Sequence, residues 1–89
     1  MGCSWRLEFW IDECSEEDQK KVKEILDKHE FYNGVEDEGD YLDVITDASY
    51  GFSINGWVKE CRPELLKIKK LRIYQYCLEK EADEVFEND

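Results

Sequence analysis

Basic residues are scarce in this sequence. Twelve Lys and Arg stand against 23 Asp and Glu, for a formal net charge of −11. A chain so acidic is repelled by DNA, RNA and anionic membrane surfaces, and attracts basic proteins and divalent cations. Histidine is limited to His29, and the four cysteines, Cys3, Cys14, Cys61 and Cys77, include no C-x-x-C pair. Zinc sites of ordinary spacing are therefore absent, and neither a metal nor a cofactor is expected. No apolar stretch reads as a signal peptide or is long enough to cross a bilayer. The expected setting is the cytoplasm, with the cysteines as reduced thiols. The five glycines are scattered, so no loop is built to cradle a phosphate. A lone proline, Pro63, argues against a linker or low-complexity segment.

What is present belongs to a folded chain. Apolar residues make up 42% and aromatics 13%, including three Trp. A disordered acidic chain has few of either. Eighty-nine residues give room for one domain, expected over 1–78, with an acidic C-terminal tail over 79–89.

From Trp5 to Asp12 the apolar residues Trp5, Leu7, Phe9 and Ile11 alternate with Arg6, Glu8, Trp10 and Asp12. This period of two predicts a strand with one buried face. Ser15 followed by Glu16, Glu17 and Asp18 marks a helix start, since the hydroxyl caps and the acids favour the positive end of the dipole. Val22, Ile25, Leu26 and His29 then fall at helical spacing. Phe31–Glu36 and Tyr41–Asp47 read as a β-hairpin around the turn Asp37-Glu38-Gly39-Asp40. In its second strand Leu42, Val44 and Thr46 share one face, and Tyr41, Asp43 and Ile45 the other. Ile54, Trp57, Val58 and Cys61 predict a second helix that Pro63 ends or bends. Lys70–Glu79 returns to alternation, Leu71, Ile73, Gln75 and Cys77 against Arg72, Tyr74, Tyr76 and Leu78, which favours a strand, with a helix running on from Pro63 as the competitor over 66–78. The order strand, helix, strand, strand, helix, strand resembles the ferredoxin-like βαββαβ pattern. The expected fold class is thus α+β, a four-stranded antiparallel sheet with both helices on one face and the other face open.

Catalytic candidates are few. None of the four serines sits in a nucleophile motif, and His29 at a helix end has no nameable partner for acid–base work. The turn Asp37–Asp40 lacks the ligand order of a calcium loop. Asp43 and Asp47 approach Asp12 only if the first and third strands are neighbours. An RNA-reading version of the third strand would carry Lys or Arg, Gly and aromatic residues, and here none of the basic residues is present. The chain is expected not to be an enzyme and not to bind nucleic acid directly.

Two patterns remain. Between Phe31 and Val58 lie six acids, Glu36, Asp37, Glu38, Asp40, Asp43 and Asp47, with no Lys or Arg, whereas Arg62–Arg72 carries five bases and one acid. Solubility alone could account for such segregation; a patch that meets a basic partner is the functional alternative. Trp10, Tyr74 and Tyr76 fall on one side of the first and last strands and are suited to anchoring an interface. In physical profile, short, acidic and poor in catalytic motifs, the chain resembles phage anti-CRISPR and anti-restriction proteins and nuclease-immunity proteins. That likeness implies an inhibitor occupying the basic surface of a nucleic-acid-binding enzyme by nucleic-acid mimicry. The competing expectation is a regulatory interaction module or homodimer that uses the open sheet face.

Overall fold

A computed structural model describes residues 2–28, 35–49, 51–77 and 82–88. His29 and the start of the predicted second strand, 31–34, lie outside the described residues. Strand β1 is Gly2–Trp10, helix α1 Glu16–Lys28, β2 Val35–Asp37, β3 Tyr41–Ser49 and helix α2 Ile54–Cys61. A short 3₁₀ helix, Pro63–Lys67, precedes β4, Arg72–Cys77, and β5, Ala82–Glu87. The strands form one five-stranded sheet in the order β2-β3-β1-β4-β5, and every neighbouring pair is antiparallel.

Alternation decides what the sheet buries. Leu7 and Phe9 of β1 stand opposite Val44 and Leu42 of β3. On the other side Phe9 faces Ile73 of β4, which in turn faces Phe86 of β5. All six are buried and form one core with Val22 and Leu26 of α1, Ile54 and Val58 of α2, and Leu65, Ile68 and Leu71. An edge contact between Phe9 and Trp57 and a tilted one between Trp5 and Phe52 extend this layer. Helix α1 starts as expected: the Ser15 hydroxyl accepts the Asp18 N–H at 3.2 Å. Gln19 then ties the start of the helix to the carbonyls of Ile11 and Cys14. Pro63 ends α2 and opens the 3₁₀ helix, where its missing N–H costs nothing. Residues 72–77 are therefore a strand and not a continued helix.

The expected count of four strands is corrected by β5. Its acidic sequence has no clean alternation, and a register shift lies opposite Gln75 and Tyr76. Only one of its described side chains, Phe86, enters the core. The Glu84 carboxylate earns its place on the helix-bearing side by accepting hydrogen bonds from the Ser53 hydroxyl at 2.7 Å, the Asn55 N–H at 2.9 Å and the Asn55 side chain at 2.8 Å. Asn88 closes the segment, donating from its side chain to the carbonyls of Leu65, Leu66 and Ile68.

The first turn of α2 is held from the sheet. Gln75 is only 2% exposed. Its amide oxygen accepts the Ile54 N–H at 2.7 Å and its amide nitrogen donates to the Phe52 carbonyl at 3.0 Å. Ser53 accepts the Gly56 N–H. The free N–H groups of the helix end are thus met by Gln75, Glu84 and Ser53 together.

Candidate functional site: the sheet face opposite the helices

Residues that alternate with the core ones point to the opposite face. Register sets them in rows. Tyr41, Trp10, Arg72 and Glu87 are successive neighbours across β3, β1, β4 and β5. The next row runs Glu36, Asp43, Glu8, Tyr74 and Val85 across all five strands. A third runs Ile45, Arg6 and Tyr76.

The aromatic groups in these rows form one cluster. Trp10 stacks on Tyr41 with ring centroids 4.6 Å apart and meets Tyr74 edge-on at 6.4 Å. The Arg72 guanidinium lies 5.7 Å from the Trp10 ring centroid, and that of Arg6 5.6 Å from the Tyr76 ring. Glu8, 7% exposed, is the polar centre. One of its oxygens accepts from the Trp10 indole and the Tyr76 hydroxyl, both at 3.2 Å, and the other from Arg6 at 2.6 Å. Burial, then the charge and hydrogen bond of Glu8, push the Tyr76 phenol up, so it stays a neutral donor. Arg6 also bonds Asp43 at 3.0 Å; that bond, against some desolvation, holds its pKa above the ordinary value.

The structure brings together Trp10, Tyr74 and Tyr76, which the sequence singles out, and adds Tyr41, Glu8, Arg6 and Arg72. The signal for these four was the register of β1 against β3 and β4, which periodicity within one strand does not contain. The acids are divided. Glu36 and Asp43 are register partners on the open face. Asp37 sits at the hairpin and pairs with Lys23 of α1 at 3.0 Å. The Gly39 N–H, donating to Asp37 at 2.9 Å, and then Lys23 hold the Asp37 carboxyl below its usual range. Gly39 itself takes φ +93°, which a residue with a Cβ adopts only with strain. Glu36, Glu38 and Asp40 are exposed and form no ion pair with another described residue. Asp47 stands opposite Ser4 in the β1–β3 register, and its side chain lies outside the described ones. Asp12 does not approach Asp43: β3 places Glu8 beside Asp43, and Asp12 pairs with Arg72 at 2.7 Å. Among the described residues no group of three or more His, Cys, Asp or Glu is arranged to hold a metal ion. No described helix is long and apolar enough to cross a membrane.

Compared with protein-family models, with curated proteins and with solved structures, the chain finds no match.

Proposed function

We propose that this protein is a non-catalytic inhibitor that binds a basic protein surface, offering carboxylates where a nucleic-acid-binding enzyme receives phosphates. Its first four strands and two helices are read as a ferredoxin-like unit to which β5 is added. The observation that carries the functional reading is the hairpin between β2 and β3. Glu36, Glu38 and Asp40 are exposed there, free of described cationic partners, on a chain of net charge −11. Exposed charges of this kind act on encounter: a basic cleft draws them in at a rate that falls steeply with salt. Nucleic-acid mimicry by an anti-CRISPR, anti-restriction or immunity-type inhibitor is the biological form this chemistry fits. The partner belongs to the cytoplasm, and the protein itself neither contacts nucleic acid nor needs a cofactor.

A second reading has its own observation. The clustered rings of Trp10, Tyr41 and Tyr74, with Tyr76 joined to Trp10 through Glu8, suit a regulatory module or homodimer that uses the sheet face. The two readings differ in salt response. Binding to a basic partner captured from the natural host, followed by stopped flow, should weaken between about 0.05 M and about 0.5 M salt, where the Debye length falls below patch dimensions. Changing Glu36, Glu38 and Asp40 together to Lys should slow association about tenfold or more. Unchanged association of the triple variant, or a partner surface that is itself acidic, would sink the mimicry reading.

A further inference from the structure

The open face carries a charge pattern that a sheet does not adopt for its own stability. Glu36, Asp43 and Glu8 are direct neighbours across three strands, and like charges set opposite one another destabilise a sheet. Among the described bases Arg6 alone pairs with this row, bonding Asp43 and Glu8. The other base within the strands, Arg72, is engaged by Asp12. Among the described residues the exposed lysines lie outside the strands: Lys20, Lys21 and Lys23 on α1, Lys59 on α2, and Lys67, Lys69 and Lys70 around the 3₁₀ helix. Within the described strands the open face therefore pairs half-buried rings with more acids than bases. Such a face complements a basic surface and meets its own charge in a second copy of itself.

Resting on the proposed reading, we infer that the open sheet face, from Tyr41 and Trp10 across to Tyr74 and Val85, is the docking surface for a basic, arginine-bearing protein partner, and that Arg6 is an internal counter-charge limiting how tightly that partner is held. The hairpin acids steer the approach, and the face makes the lasting contact. Arg6 lies over the Tyr76 ring and between two carboxylates, a setting suited to any guanidinium. While Arg6 fills it, a partner's arginine has Glu36 and only a share of Asp43. Loss of the Arg6 charge frees Asp43, so binding strengthens. If Arg6 served the fold alone, its loss would leave binding unchanged or weaken it.

The test uses nona-arginine as the basic probe and isothermal titration at low salt. Arg6→Gln should lower Kd about threefold to tenfold and steepen its salt dependence, the scale expected for one added charge pair. Arg6→Lys should stay within about twofold, because the counter-charge remains. Tyr74→Ala should raise Kd about threefold or more through loss of an aromatic contact. Should Arg6→Gln strand the buried Glu8 and unfold the chain, Arg6→Gln combined with Glu8→Gln frees Asp43 without that penalty and should show the same tightening. Weaker or unchanged binding by the folded variant that frees Asp43, or unchanged binding by Tyr74→Ala while changing only Glu38 and Asp40 to Lys loses the probe, overturns the inference and leaves the hairpin reading standing. Failure of the wild-type chain to bind the probe overturns both. Sedimentation velocity showing a dimer that the probe cannot dissociate assigns the face to a second copy, which also overturns the inference.

Discussion

Replacing Gln75 by leucine should destabilise the protein more than its position in an edge-proximal strand suggests. The side chain is buried and gives one acceptor to Ile54 N–H and one donor to the Phe52 carbonyl. Leucine fills a similar space and removes both. Each stranded backbone group costs about 1–3 kcal/mol, and the added apolar burial offsets about 1 kcal/mol. The net cost is therefore about 1–5 kcal/mol. For a domain of this length, whose whole stability is on the order of 5–10 kcal/mol, the thermal midpoint falls by roughly 4–8 °C for each kcal/mol lost. Urea and thermal unfolding followed by far-UV circular dichroism measure it, and an unchanged urea slope shows that both variants unfold the same fold. Hydrogen exchange adds a local readout, because the Ile54 amide should lose protection before the β1 amides do. A Gln75→Leu protein within about 0.5 kcal/mol of wild type would refute the argument that the sheet holds the start of α2.

Glu84→Gln should cost about 1 kcal/mol near neutral pH by weakening the same helix end. Burial raises the Glu84 carboxyl, but hydrogen bonds from the Asn55 backbone, Ser53, the Asn55 side chain and the Ile54 backbone outweigh it and leave the pKa below its ordinary value. Its contribution is thus fully present above the unfolded value of about 4.3 and is lost as pH falls through the lower folded value. The stability gap between wild type and Glu84→Gln, measured by urea unfolding from neutral pH downward, should close in that acidic window; a constant gap would refute the assignment. In the native protein Cys61, exposed, should react quickly with a thiol reagent, and Cys14 slowly, because it is buried and donates to the Lys69 carbonyl. Desolvation first, then Asp18 and Asp12, raise the Cys14 thiol and add to the contrast, and equal rates at the two sites, read by mass spectrometry, would contradict it. Leu26→Ala, in the core beneath α1, should cost about 2–5 kcal/mol in urea unfolding, and an unchanged midpoint would mean that α1 does not pack as described.

Local pattern by itself determined much of this protein. The alternation Trp5-Leu7-Phe9-Ile11 names the buried side of β1, Ser15 with its acids names the start of α1, and Pro63 names the break after α2, because each depends on a period or a backbone constraint contained within a few residues. The same alternation put Trp10, Tyr74 and Tyr76 on the uncovered side. Tertiary structure alone decided the rest. Nothing within 79–89 marks β5 as a strand: its main polar contact, Glu84, is satisfied by the start of α2 some thirty residues earlier in the chain. Gln75 likewise looks like one polar break in an apolar alternation until α2 lies above it. The row Glu36-Asp43-Glu8, and the division of Asp37 from Asp43 between Lys23 and Arg6, exist only once three strands are in register. Periodicity tells each strand which side faces the core, but which charges meet on the other side is fixed by pairing between distant segments, and that information resides in no single stretch of the chain.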